Sequence, residues 1–274
     1  MEDKLRKLQL TELEILKVID KICTEHDIKY SLIGGTLIGA VRHKGFVPWD
    51  DDLDIRMSRL DYERFIKVWN SIQPEGYYLQ NKRNTPAFPQ SFTKIRKNNT
   101  AFVLYESENK KYHTGIFVDV FPLDRIPNGR LRKKWFLFRA LIYQIFTRES
   151  DYQKNNKLID SVVAILLKVT TKKYRKKYRD AFEKKLVKYS SQTNWNCVAI
   201  DALSTIGKEL PNSIADSYTR LEFEGQEFMC FSDWDTYLKT YFGDYMQLPP
   251  VEERTWTHHP IIIDFENEHN SQKE

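Results

Sequence analysis

A mixed α/β fold is predicted for this chain, and three observations support it. Helical periodicity opens the sequence, and short stretches of strand-like alternation then interleave with helical segments as far as residue 121. At 274 residues, 41% hydrophobic and 30% charged, the chain can bury a substantial core and has the composition of a globular domain. Charge is also unevenly placed. Residues 125–190 carry 19 Lys/Arg against 5 Asp/Glu, a net +14, and the remainder stands at −9. A shift of that size marks a unit with its own electrostatic role. The expected organisation is a core over 1–125, a basic helical annex over 126–210, and a C-terminal segment over 211–274 that packs back on the core.

The elements follow in order. Leu5, Leu8, Leu16, Ile19 and Ile22 predict an amphipathic helix over 5–26, with Thr11 and Glu14 as a capping box that restarts or tightens it. "IKYSLI" (28–33) alternates as a strand and runs into a Gly34-Gly35 turn, and "TLIGAVRH" is a short helical turn packed by Leu37, Ile38 and Val41. "DLDIRM" (52–57) places Leu53, Ile55 and Met57 on one strand face and Asp52, Asp54 and Arg56 on the other. "LDYERFIKVW" is an amphipathic helix, and strand-like pieces follow at 77–80, 92–96, 102–106 and 115–121. Residues 130–189 turn helical, with basic residues around "WFLFRALIYQIF" and "SVVAILLKV". "RLEFEGQEFMCF" reads as a hairpin turning at Glu224-Gly225, and "SDWDTYLKTYFG" as a helix capped by Ser232 and closed by Gly243.

Cys23, Cys197 and Cys230 are odd in number and far from any metal-ligand spacing, which predicts reduced, buried thiols in a cytosolic protein. "MEDKLRKLQL" lacks the apolar stretch of a signal peptide, and no run approaches the ~18 apolar residues of a spanning helix. A cytoplasmic location is expected.

The chemistry concentrates in "PWDDDLDI", with aspartates at 50, 51, 52 and 54 inside a run that otherwise reads as buried strand. Such a cluster repels itself and loses solvation on burial unless a cation joins it. Asp52 and Asp54, two apart on one strand, project from one face within ~7 Å, which suits one or two hard divalent cations. Asp119 repeats the apolar-Asp-apolar form in "IFVDVF" and offers a third carboxylate. Gly34, Gly35 and Thr36 supply a turn where backbone N–H groups can approach a phosphate. An acidic turn or helix cap is the plainer alternative, disfavoured because alternation and glycine turn agree.

"GGTLIGAVRHKGFVPWDDDLDI", "KIRKNNT", "GIFVDVFPLD" and "YFGDYMQLPP…HH" resemble the LicD family of phosphocholine transferases, with fukutin-related proteins as distant members. The similarity is dense over about 26–125, returns over about 220–259, and is thin between them. The resemblance implies a polymerase-β-type nucleotidyltransferase core with a mixed sheet. It also implies Mg²⁺-dependent transfer of a phospho-alcohol from a CDP-linked donor, CDP-choline foremost, to a sugar hydroxyl of a cell-surface glycan or glycolipid. By position, Asp52 and Asp54 become metal ligands and Asp119 a ligand or the base for the acceptor's proton. Asp50 shares their parity as an outer ligand, and Asp51 points away, to the surface or a supporting role. Arg42 is the best diphosphate clamp, because its fork can be bidentate. Lys94 and Arg96 share one strand face and are assigned to donor binding through the family match. His258 and His259 sit in the matched C-terminal block, His259 as a possible acceptor or phosphate contact, and Asp124 is set aside as a helix cap.

A choline headgroup needs an aromatic cage, and Phe46, Trp49, Tyr105 and Trp256 lie near matched blocks without singling one out. The basic annex is expected to meet an anionic membrane surface, placing the protein at the inner face of the cell membrane. Three rivals stand beside this reading. One is a nucleotidyltransferase releasing pyrophosphate. Another is a nucleic-acid binder, disfavoured because the basic residues lie among Trp135, Phe136, Leu137 and Phe138 with no known binding module. The last is a dead scaffold, which has no need of clustered carboxylates.

Overall fold

The computed structural model describes residues 2–149, 157–202 and 205–265. Helix α1 (Glu2–Glu25) runs unbroken, held down by the fully buried Leu8, Ile15, Leu16 and Ile19. Thr11 does not restart it. Its hydroxyl donates to the Lys7 carbonyl one turn back, so no capping box forms there.

The chain continues through β1 (Ser31–Leu32), α2 (Gly34–His43), β2 (Asp54–Ser58), α3 (Arg59–Ile72), β3 (Tyr77–Gln80), β4 (Thr93–Lys97), β5 (Ala101–Val103) and β6 (Phe117–Arg125). Only Ser31 and Leu32 of the expected 28–33 strand pair as one, and the expected 102–106 strand gives way at Tyr105 to a single 3₁₀ turn. The sheet order is β1-β2-β6-β4-β3. β2 and β6 run parallel and the other neighbours antiparallel, so the sheet is mixed and the fold mixed α/β. β7 (Cys197–Val198) pairs with the far end of β6, and β8 (Glu209–Leu210) pairs with β7.

α3 covers one sheet face. Ser58 caps it by accepting the Asp61 N–H, Tyr62 shares a 2.7 Å hydrogen bond with Thr93, and Arg59 donates two 2.8 Å bonds to Asp124. Asp124 is therefore not a helix cap, as β6 extends past the expected end and carries it fully buried into the pair with Arg59. Strand alternation turns Lys94, Asp119 and Arg56 to the opposite face, where Arg56 pairs with Asp201 at 3.1 Å.

Helices α4 (Arg130–Arg148) and α6 (Lys172–Tyr189) build an apolar cluster of their own from Phe136, Ala140, Tyr143, Phe182 and Leu186 with Ile126, Val198 and Ile200. α5 (Lys157–Val169) joins through Val163 against Ile145 and Phe146. Among the described residues no helix is long and apolar enough to cross a membrane.

β9 (Tyr218–Phe223) and β10 (Gln226–Phe231) form the expected hairpin. Glu224 and Gly225 both take positive φ, +53° and +71°, the pattern of a type I′ turn that matches strand twist. α7 (Trp234–Phe242) is capped by Asp233 rather than Ser232, through the Thr236 N–H. β11 (Ile262–Asp264) adds antiparallel to β5, which brings the C-terminal segment back across the core. The three cysteines are free and buried.

Candidate functional site

Register lines up the first group of charged residues. Asp54 on β2 sits beside Asp119 on β6, and Asp119 beside Lys94 on β4. The Lys94 ammonium donates to both Asp119 oxygens, at 2.6 and 2.7 Å, and lies 3.3 Å from the centroid of the Phe117 ring. Burial pulls the Lys94 pKa down, and the Asp119 charge opposes that.

The other aspartates come from the loop ahead of β2, so Asp52 is not part of the strand as expected. Oxygens of Asp50, Asp51 and Asp52 all lie within 4.8 Å of one another. Asp51 does not face the surface. It is fully buried, accepting the N–H groups of Thr257 (3.0 Å) and His258 (2.9 Å), with His258 Nδ1 at 3.3 Å. Burial alone would raise its carboxyl, but the hydrogen bonds from His258 outweigh it and hold the pKa below the ordinary value. Asp51 thus ties the C-terminal segment to the site and leaves the free oxygens to its neighbours. Asp50 Oδ2 and Asp54 Oδ1 are buried with no hydrogen-bond partner. Burial, then the Asp52 charge, pushes Asp50 up to about 8; burial, then the charges of Asp52 and Asp119, raises Asp54 well above its ordinary value.

The glycines serve these carboxylates directly. They form the first turn of α2 rather than a separate loop. A Cβ at Gly35 would stand 2.1 Å from Asp50 Oδ2, and one at Gly34, where φ is +58°, 3.2 Å from Asp54 Oδ2. Thr36, expected at a phosphate, is buried with its hydroxyl accepting the Asp54 N–H at 2.9 Å, which pins the start of β2.

Sequence reasoning missed Glu12. This α1 residue is 1% exposed, and its Oε2 has no partner. Burial raises its carboxyl, and the charges of Asp52, Asp50, Asp51 and Asp54 raise it further. The signal was present: Glu12 stands four residues after Leu8 and three before Ile15, on the apolar stripe, where an acid without a partner demands a reason.

Two clefts flank the carboxylates. The larger, about 510 Å³, is lined by Gly35, Arg42, Trp49, Asp50, Tyr245 and Thr257 among others. Arg42 donates there to the Tyr245 carbonyl at 2.9 Å. The smaller, about 270 Å³, is lined by Lys94, Arg96, Asp119 and His258 with Phe92 and Phe117. Arg96 is buried because β4 is an interior strand, and it donates to Gln80 Oε1 and the Gly115 carbonyl at 2.6 Å each. His258 rather than His259 joins the site, edge-on to Phe102 and Phe117, while His259 is exposed. Of the aromatic candidates Trp49 alone lines a cleft, with Arg254 over its ring at 5.3 Å. Phe46 packs on Phe223 in the core, Tyr105 is 77% exposed, and Trp256 is half-buried.

An all-oxygen donor set with two orphaned buried oxygens fits a hard divalent cation such as Mg²⁺. Asp50, Asp52 and Asp54 are the residues that would hold it, with Asp119 alongside.

Comparison with known proteins decides the kinship. The chain is 30% identical over 271 residues to the lipopolysaccharide cholinephosphotransferase LicD of Haemophilus influenzae, covering 91% of this chain and 94% of that protein. The chain belongs to the LicD family. The family profile described as "LicD/FKTN/FKRP, nucleotidyltransferase domain" matches residues 27–147. Uncharacterized proteins of Rickettsia prowazekii and Rickettsia typhi are each 30% identical, over 117 and 118 residues, covering 42% and 36% of their own lengths. The LicD-profile segment contains Asp50 to Asp54, Lys94, Arg96 and Asp119. Glu12 and His258 reach the site from outside it.

Proposed function

We propose that this chain transfers a phospho-alcohol, phosphocholine foremost, from a CDP-linked donor to a sugar hydroxyl of a cell-surface glycan or its lipid-linked precursor, releasing CMP. The pair of orphaned carboxylate oxygens between two clefts carries the proposal, in a chain similar along nearly its whole length to a lipopolysaccharide cholinephosphotransferase. The polymerase-β-type core is part of the same proposal, supported by the parallel β2–β6 pair that sets Asp54 beside Asp119.

Asp50, Asp52 and Asp54 would hold Mg²⁺, which when bound neutralises charge building on the donor phosphates. Arg42 in the larger cleft and Lys94 and Arg96 in the smaller orient those phosphates. Asp119, positioned by Lys94, takes the proton of the acceptor hydroxyl as that oxygen bonds to the phosphorus bearing the alcohol. The bond from that phosphorus to the oxygen shared with CMP breaks, and CMP departs with the electron pair.

The same proposal places the protein on the inner face of the membrane. α4 exposes Leu131, Trp135 and Phe138, and α5 exposes Val162, Ile165 and Val169, all more than half exposed, on the most basic part of the chain. Each Lys or Arg near an anionic surface contributes on the order of 1 kcal/mol, screened by salt. Sedimentation with anionic vesicles at low salt should bring the protein down, and binding indifferent to salt and lipid charge would refute that placement.

Melting the protein with Mg²⁺ and a panel of CDP-alcohols tests the donor. CDP-choline should raise Tm only with the metal present. An equal rise with CTP alone would favour nucleotidyl transfer.

A further inference from the structure

A cavity of about 290 Å³ lies between α4 and α6, outside the carboxylate site. Its wall holds three cations, Arg132, Arg139 and Lys185, and five aromatic rings, those of Phe136 and Phe182 and of Trp135, Tyr189 and Trp195, with no carboxylate in the lining. Among the described residues, none of the three cations has a carboxylate partner, whereas Lys133 and Arg179 on the same helices are paired with Glu209 and Glu149. Arg139 lies over the Phe182 ring at 5.3 Å and Lys185 over Tyr189 at 5.3 Å, so packing against rings orients both cationic groups. Arg132 is exposed and Arg139 and Lys185 are half-buried, and three cations around one cleft with no acid in its lining favour an anion there.

The site is remote from the reaction centre. β6 carries the chain from Asp119 to Arg125, about 20 Å at ~3.3 Å per residue, and the cavity begins beyond it at Pro127. It cannot hold the reacting hydroxyl. Its lining includes the exposed Trp135, which shares α4 with the exposed Leu131 and Phe138.

We infer that this cavity is a binding site for a phosphorylated saccharide. Its volume, near the low end for ligand sites, suits one sugar ring with its phosphate. The cations suit the phosphate, through charge-assisted bonds. Trp135, Tyr189 and Trp195 line the cleft with aromatic surface against which the C–H side of a sugar ring can pack. Joined to the proposed function, on which this clause rests, the ligand is a phosphorylated residue of the acceptor glycan distant from the hydroxyl that reacts. The cavity would then select acceptors by phosphorylation.

The test measures binding directly and needs no turnover. Tryptophan fluorescence is titrated with glucose 6-phosphate, glucose, inorganic phosphate and phosphatidylglycerol vesicles, using wild type and the double variant Arg132→Gln/Lys185→Gln. Both substitutions are on helix surfaces, and a melting curve checks that the fold survives. Glucose 6-phosphate should bind wild type more tightly than glucose or phosphate, and the double variant about tenfold or more weakly, as expected for lost charge-assisted bonds. No binding of the sugar phosphate, equal binding to the double variant, or phosphate binding as well as the sugar phosphate would overturn the site. Vesicle binding that falls in the double variant without sugar-phosphate binding would overturn it in favour of a lipid headgroup. A protein that binds the sugar phosphate but never releases CMP would retain this site and lose the proposed reaction.

Discussion

Asp50→Asn should make the metal-free protein more stable. Asp50 is held at about 8 in the folded chain against an ordinary 3.8. Between those values the folded state binds more protons than the unfolded state, so stability falls as pH rises through that window. At pH 7 the unfolded chain has released the proton, and keeping it in the folded chain costs about 4 kcal/mol at 1.36 kcal/mol per pH unit. Asparagine needs no proton. The amide inherits the unpartnered position of Asp50 Oδ2, and that returns about 1–3 kcal/mol of the gain. A net stabilisation of about 1–3 kcal/mol follows, or about 2–6 °C in Tm for a chain of this length. Thermal melts of wild type and variant in EDTA, from pH 5 to pH 8, measure it. Wild type should lose stability across that range and the variant less, with Asp54 and Glu12 still contributing to its slope, and Mg²⁺ should raise the Tm of wild type only. A variant less stable than wild type at pH 7, or a wild type indifferent to pH, would refute the reasoning.

Gly35→Ala drives a methyl into the space of Asp50 Oδ2, so it should abolish the Mg²⁺-induced rise in Tm while the metal-free melt moves little. Lys94→Met leaves Asp119 buried without its partner and should cost about 3–5 kcal/mol in urea denaturation. Lys94→Met/Asp119→Asn should recover most of that stability, and failure to do so would deny the coupling. Asp124→Asn should also cost about 3–5 kcal/mol through the stranded Arg59, and a loss below about 1 kcal/mol would remove the anchoring role of that pair.

What the sequence disclosed depended on whether the cause was local. Alternation and periodicity located α2, α3, the hairpin and the interior strands, because each follows from its own residues. The parity argument found Asp54 and Asp119 but carried the strand too far back through Asp52, since nothing local marks where pairing begins. The partner of Asp51, the place of His258 and the part of Glu12 were not legible for one reason: their partners are 207, 207 and about 40 positions away, and only the tertiary fold brings α1 and the C-terminal segment to the loop. Asp124 was lost likewise, its role fixed by Arg59 across the sheet. Thr36 was assigned to a ligand through the backbone N–H groups of its Gly-Gly-Thr turn, and nothing local showed that its hydroxyl serves the Asp54 backbone.

Which phosphorus is attacked separates the proposed reaction from its nearest rival. Slow transfer to water follows the same course as transfer to a sugar, so the acceptor need not be known. Incubation with CDP-choline and Mg²⁺ should release CMP and phosphocholine. CTP and ATP should yield no pyrophosphate, and EDTA or Asp54→Asn should stop the release of CMP. Pyrophosphate from CTP with no CMP from CDP-choline would contradict the account and make the protein a nucleotidyltransferase.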